Sequence, residues 1–397
     1  MSSFSYLNFF TFSLLGVSNL IGWNVVLNSL DFFSSKFVDY DINFLMVIPC
    51  DIGALLANFL IGFFIKAFTL NKRILSSLVF LSLSIILLPL EAYLFPNTIG
   101  FWLFMLLNFL ISVFMVFLQG SILGLASNYS DFCMGSINFG FSFSGVLTCI
   151  LRIICLVAWK NEQETNFYSI LIYYSSSTAF VLISLMIFLS FIGKATKKND
   201  VQETFIAEMA YETKNEESDF SGNEENGKIY SFLLRSMVHT SPYSILMFLI
   251  SAQTFLLFPG MALSYRIFGL DDAWNGVVLL LIFNIFDAMG RYCSLLRYFY
   301  GKWALVILIL LRFLFIASFF TLFNNYDVAV MNTGYFAVAN MVVFAFTNGY
   351  FITALFILPT ELYVQKREKE LVSFMMSFLL NMGGIIGSLI ALNFANL

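Results

Sequence analysis

Charge is what this sequence most lacks. Of 397 residues only 11% are Asp, Glu, Lys or Arg, and a single histidine, His239, is present. A soluble domain carries roughly 25% charged residues to cover its surface, so a soluble globular fold is excluded. The 20 basic residues do not outnumber the 24 acidic ones, which leaves no basic field to hold nucleic acid. One histidine, with no acid or cysteine cluster beside it, poorly supplies metal ligation and nucleophilic catalysis; no metal, cofactor or enzymatic activity is expected. The five cysteines, Cys50, Cys133, Cys149, Cys155 and Cys293, are odd in number and lie in apolar segments or toward the cytosol. They read as small packed hydrophobes rather than as a disulfide framework.

What fills the chain instead is apolar surface: 60% hydrophobic residues, among them 50 Phe, with 18 Tyr, and a mean hydropathy of +0.87. A helix needs about 20 apolar residues to cross the hydrocarbon core of a bilayer. Eleven stretches meet that length, near 8–30, 43–66, 73–95, 100–127, 137–159, 168–193, 243–263, 274–296, 302–324, 333–358 and 371–395. The first has no basic leader and no small-residue cleavage site, so it reads as a retained span. The expectation is an all-α polytopic membrane protein.

Basic residues near the span ends set the orientation. Lys66, Lys72, Arg73, Lys194, Lys197, Lys198, Arg297, Lys302, Lys366, Arg367 and Lys369 fall on one side; Lys36, Lys160 and Arg266 fall on the other. Eleven against three places the N-terminus in the cytosol and, after eleven spans, the C-terminus outside. Asn128-Tyr129-Ser130 fits a glycosylation pattern, but it falls in a cytosolic loop and is expected to be unused. The polar stretch from Lys194 to Thr240, whose middle is rich in Glu, Asn, Ser and Lys, reads as a disordered cytosolic loop. It divides the chain into a six-helix bundle over 1–193, the loop over 194–240, and a five-helix bundle over 241–397, with a central path between the bundles.

Each ionisable group at the bilayer centre costs about 2.5–3.5 kcal/mol on insertion scales, so it should meet a partner or a wet cavity. Asp51, Arg152, Asp287, Arg291 and Arg312 fall inside the spans. Asp287 and Arg291 are four apart, and Asn284 precedes Asp287 by three, so an amide, a carboxylate and a guanidinium share one face of span 8. That stripe is an ion pair locking the helix to its neighbours, a polar ligand site, or both. Arg312 reads as a structural partner for Asp287 or for a backbone carbonyl; Asp51 and Arg152 read as paired or snorkelling rather than substrate-facing. Trp23-Asn24 lies mid-span 1, away from the interfacial belts, where the ring is a packed core residue or stacks a flat ligand. Gln119 in span 4 either bonds a neighbouring helix or reads the edge of a heterocycle. Gly140 with Ser144, and Gly383 with Gly387, are small-residue pairs for close helix packing. Gln253 suggests a polar lining in span 7, and Pro259 a kink.

Five of these segments together resemble one family, the equilibrative nucleoside transporters. Gly22-Trp23-Asn24 is similar to the family's Pro-Trp-Asn element in span 1, and Leu118-Gln119-Gly120-Ser121 to its span 4 element. Phe283-Asn284-Ile285-Phe286-Asp287 with Gly290-Arg291 is the most specific match. Arg312 stands in Arg-x-x-Phe-Ile, and Thr347-Asn348-Gly349-Tyr350 resembles a Ser-Asn-Gly-Tyr signature. The resemblance covers most of the membrane portion and leaves out the 194–240 loop and the termini. It implies a fold of the major-facilitator kind and an alternating-access carrier of nucleosides or nucleobases. It also implies that Trp23 covers the substrate, Gln119 bonds the base, and Asp287 and Arg291 meet ribose hydroxyls with Asn284 beside them. Asn24 joins the substrate set; Asp51, Arg152, Arg312 and Asn348 are expected in structural or gating roles. Gly22 replaces the family's usual proline, and Met115 is large where some members carry glycine.

The expected partners are therefore a small nucleoside or nucleobase and the lipid bilayer, with the chain a monomer in the plasma membrane moving its substrate by facilitated diffusion. The alternatives are a proton-coupled symporter and a carrier of another small neutral solute such as a sugar. A polytopic enzyme would need a catalytic constellation that His239 alone does not provide.

Overall fold

In a computed structural model of the full chain, the residues described are 3–40, 42–95, 97–127, 129–158, 167–192, 231, 234–265, 267–270, 272–298, 301–323 and 333–395. Every regular element among them is a helix. The first half comprises α1 (Ser3–Leu27), the short α2 (Leu30–Lys36) and α3 (Ile42–Leu45), α4 (Val47–Ala67), α5 (Leu70–Leu94), α6 (Thr98–Ser127), α7 (Asp131–Ala158) and α8 (Phe167–Ile187), which ends in a π-helical turn. The second half comprises α9 (Tyr243–Leu257), α10 (Gly260–Ser264), α11 (Asp272–Ser294), α12 (Lys302–Leu311), α13 (Leu314–Phe323), α14 (Gly334–Glu361) and α15 (Lys366–Ala395).

Nine apolar segments among the described residues are long enough to cross a membrane, and two shorter apolar helices, Val47–Leu60 and Tyr243–Leu257, stand where the second and seventh spans were expected. The seventh stops short because Pro259 has no N–H to donate and its ring obstructs the preceding turn, so the chain breaks between α9 and α10. The expected ninth span is also broken, at Arg312, between α12 and α13. The Arg312 carbonyl there accepts from the side chain of Gln253 as well as from the backbone N–H of Phe315. The expected polar loop falls almost wholly on residues 193–230, and these, like Asn128, lie outside the described residues.

The packing follows the small residues. In the first half α1 lies against α7, where Gly16 and Gly140 face each other and each meets a backbone carbonyl of the other helix. In the second half Gly383 and Gly387 admit α15 to the backbone of α9, at Phe248 and Ala252. Among the described residues four helix contacts join the halves: α7 on α11 and on α14, and α6 and α4 on α15. Large apolar side chains such as Phe59, Leu83, Trp102, Ile154 and Trp303 are exposed on the outer faces, as lipid rather than water requires. All five cysteines are free thiols.

Candidate functional site

Between the halves lies a cavity of about 210 Å³, walled by α1, α4, α6 and α7 on one side and by α9, α11, α14 and α15 on the other. Gln119, Arg291 and Phe356 line its inner part. Leu27, Val47 and Pro259 line its outer part, at the last residue of α1, the first of α4 and the α9–α10 break. The cavity therefore reaches one face of the molecule. The opposite face is closed. There Arg73 at the start of α5 pairs with Glu370 at the start of α15, 2.5 Å apart, and its guanidinium lies 5.4 Å from the centre of the Phe374 ring. Phe374 in turn fills the space over Gly120, and Thr360 of α14 reaches the Met134 sulfur of α7 at 3.9 Å.

Asp287 is the hub of the cavity wall. It is 2% exposed and accepts from Arg291 Nε at 2.7 Å, from Asn348 Nδ2 at 2.7 Å and from Ser142 Oγ. A buried carboxylate is tolerable only when its lone pairs are filled in this way. The i,i+4 spacing on α11 supplies Arg291. The other two donors require α14 and α7 to come close. Gly349 makes the first approach: a Cβ there would collide with the backbone oxygen of Asp287. Arg291 also donates from Nη1 to Asn138 of α7 at 3.3 Å. The ion pair, carried wholly by α11, is therefore hydrogen-bonded to the first half through Asn138 and Ser142.

Eight of the ten residues singled out from the sequence border this cavity: Trp23, Asn24, Asp51, Gln119, Asn284, Asp287, Arg291 and Asn348. Asn24 is held by a 2.7 Å bond from its Nδ2 to Ser144 Oγ, and Asn284 by a 2.8 Å bond to the Leu280 carbonyl. Gln119 is different: it is 4% exposed, it borders the cavity, and among the described residues its amide makes no hydrogen bond. The interhelical bond that would make it structural is not formed.

The remaining two residues stand apart from the cavity. Arg152 pairs with Asp31. Arg312 is fully buried behind the wall, 4.9 Å from the centre of the Phe344 ring. Its Nε donates to Gln253 Oε1 at 3.1 Å and its Nη2 to Thr254 Oγ1 at 3.4 Å, so it reaches Asp287 only through Thr254 and Asn348. Of the two partners expected for it, Asp287 or a backbone carbonyl, neither is bonded directly among the described residues; the side chains of Gln253 and Thr254 take their place. Asp51 corrects the sequence reading more sharply. It has neither an ion pair nor a hydrogen bond among the described residues, and it faces the cavity instead of a structural partner.

Sequence reasoning passed over Asn138, Ser142 and Thr254. The first two are four residues apart on α7 and so share a face, a signal of the same kind as the Asn284–Asp287–Arg291 stripe. It also gave no role to Phe258 and Phe283, whose rings stack with centres 3.9 Å apart in the cavity wall. Among the described residues no group of three metal-ligating side chains comes together.

Two halves of membrane-length helices around a central cavity define a polytopic carrier, and solved structures share that fold. The chain superposes on the fucose:proton symporter of E. coli with a TM-score of 0.60, 14% identity, and 98% and 96% of the two chains covered. It superposes on the xylose transporter of E. coli at 0.62, with 13% identity and 99% of each chain covered. This is the major facilitator superfamily fold. Residues 105–396 match the family described as Nucleoside transporter, and the chain belongs to it. It resembles equilibrative nucleotide transporter 6 of Arabidopsis thaliana, 23% identical with 94% of this chain and 90% of the relative covered. Equilibrative nucleotide transporter 3 of the same plant is 22% identical over the same shares. The protein is thus an integral membrane carrier rather than an enzyme.

Proposed function

We propose that this carrier moves uncharged nucleosides, and bare nucleobases, by facilitated diffusion through alternating access. The observation that carries the reading is the Asp287–Arg291 couple, which Asn348, Ser142 and Asn138 hold in a wall shared with the unpartnered Gln119 and which has two of the five N–H groups of Arg291 engaged. Such a couple offers fixed donors and acceptors without net charge, which suits ribose hydroxyls. Trp23 and the Phe258–Phe283 stack offer flat apolar faces for a ring, and Gln119 offers both a donor and an acceptor to the base edge.

The relatives' names refer to nucleotides. A phosphate would need a free cation, yet Arg291 is already engaged by Asp287 and no second Lys or Arg lines the cavity among the described residues. Nucleosides fit this electrostatic balance better. The two halves would rock about the cavity. The basic-residue asymmetry argues that the closed Arg73 face is cytosolic, so the cavity opens outward, with the N-terminus inside and the C-terminus outside. A monomer in the plasma membrane is the simplest host arrangement. Proton-coupled uptake is the second reading, favoured by an unpaired acid in the cavity wall, Asp51.

The test is uptake of labelled adenosine into vesicles holding the purified chain, with unlabelled nucleosides, nucleobases and sugars as competitors, with and without a pH gradient. Saturable flux that nucleosides inhibit, sugars do not, and a pH gradient leaves unchanged supports the proposal. Flux driven by the gradient assigns proton coupling, and no saturable flux of any nucleoside or nucleobase sinks the reading.

A further inference from the structure

The carboxylates set within the membrane helices are almost all accounted for. Asp31 is paired with Arg152, Asp287 with Arg291 and Glu370 with Arg73. Glu91 is buried away from the cavity with no partner for either oxygen. Asp51 alone borders the cavity without a protein partner among the described residues. Nor is a cation near at hand on the helices packed against α4. No charged residue occurs along α6, and those of α15 are confined to 366–370 at its far end.

The placement of Asp51 is fixed by its neighbours. Ser112 Oγ donates to the carbonyl of Cys50 at 2.6 Å, which ties the Asp51 turn to the level of Ser112. That level lies seven residues from Gln119, roughly 10 Å nearer the mouth along α6. Asn381 of α15 borders the same cavity, and its Nδ2 is buried with no hydrogen-bond partner. The cavity thus has two polar poles. The inner one, around Asp287, is held in place by protein donors and keeps N–H groups of Arg291 for a ligand, two of the five being engaged. The outer one, with Asp51 on α4 and Asn381 on the adjoining α15, has unspent hydrogen-bonding capacity on both helices.

We infer that Asp51 and Asn381 form an outer recognition subsite for a heterocycle edge that presents an N–H donor beside an acceptor. In its ionised form, which an N–H donor from the ligand favours, Asp51 only accepts, and the amide of Asn381 can donate. Together they match an amino or imino N–H next to a ring nitrogen or carbonyl, and they disfavour a ligand edge bearing acceptors alone, which would leave a charge unpaired in a confined space. The inference rests on the nucleoside reading and deepens it: the inner pole holds the hydroxylated part, Gln119 meets one edge of the ring, and the outer pole selects among the edges turned toward the mouth.

The test uses three ribosides: adenosine, which carries an amino N–H on its ring edge; inosine, which carries a ring N–H; and purine riboside, whose ring edge bears acceptors only. Their affinities for the purified full chain are measured by ligand-dependent thermal stabilisation and by competition of uptake, and compared as ratios within each preparation, so that expression level does not enter. The wild type should favour adenosine and inosine over purine riboside by about tenfold or more, the scale of a hydrogen bond to a charged group. Asp51→Leu should bring the ratio near one, chiefly by weakening adenosine and inosine. Asp51→Asn keeps an acceptor oxygen and should lower the ratio by at least about threefold, which serves as the test should the leucine variant not reach the membrane. Asn381→Leu should also lower the ratio. An unchanged ratio in an active Asp51 variant, or equal weakening of all three ligands, overturns the inference while leaving the nucleoside reading intact. Loss of a pH-dependent uptake with the ratio unchanged would assign Asp51 to proton traffic and overturn it as well. A wild-type protein that binds none of the three overturns both.

Discussion

Asn348 donates to Asp287 Oδ1 at 2.7 Å and accepts from Thr254 Oγ1 at the same distance. One amide of α14 thereby joins the hub carboxylate of α11 to α9, and through Thr254 to the buried Arg312 at the α12–α13 break. The relay continues on the other side through Arg291 to Asn138 in the first half. Any rocking of the halves must move this chain as a unit or break it at the α7–α11 contact, where Ser142 and Asn138 supply the only named bonds to it from the first half.

Asp287→Asn leaves the guanidinium of Arg291 buried without its counter-charge, a loss of about 3–5 kcal/mol for a broken buried pair. Uptake per molecule at the membrane should fall by at least about a hundredfold. Counting surface protein alongside labelled adenosine flux checks it, and an active Asp287→Asn protein would show the acid to be peripheral.

Gln119→Ala removes an amide that no protein group uses. The apparent substrate KM should rise by roughly three- to tenfold, the scale of one net hydrogen bond, with normal protein level. Disappearance of the variant from the membrane would assign Gln119 to packing instead.

Arg73 and Glu370 clasp the closed face. Arg73→Ala leaves Glu370 partly buried and unpaired, which should shift the population toward opening of that face. Cys50 borders the cavity and can report this in a background where the other four cysteines are replaced. Its labelling by a charged thiol reagent applied from the Arg73 face should increase severalfold, and the exchanged pair Arg73→Glu with Glu370→Arg should restore protection. Unchanged labelling would mean that the ion pair does not hold the face shut.

Gly349→Ala forces a methyl group into the backbone oxygen of Asp287. α11 and α14 must separate, at a cost of about 1–3 kcal/mol for overpacking, and the bond from Asn348 to Asp287 lengthens. A lowered melting temperature together with reduced uptake is expected; wild-type values in both would show that the helices have slack at this crossing.

Much of the layout was readable in advance because a bilayer makes strong local demands. The scarcity of charge marked the protein as a membrane protein, and nine of the expected spans reappear as long apolar helices. Pro259 ended its helix for a covalent reason visible in the chain itself. Asp287 and Arg291 could be paired on paper, since helical periodicity alone brings residues four apart together. Arg312 could not be read correctly, because its nearest partner on another helix, Gln253, lies 59 residues away and is reached only where the ninth segment breaks.

The amino-acid sequence by itself determined that the chain lives in lipid, roughly where its long apolar segments run, and which face of span 8 carries its charges, because composition and a 3.6-residue repeat are local properties. The tertiary structure alone decided which buried polar groups meet around one cavity and which do not. Asn138, Ser142, Thr254 and Asn348 converge on Asp287 and Arg291 from segments far apart in the chain, and Asp51 is left facing open space while Arg152 finds Asp31. Those outcomes depend on how each helix is rotated and how closely its glycines let it approach a neighbour, and that is settled only when all the helices pack together.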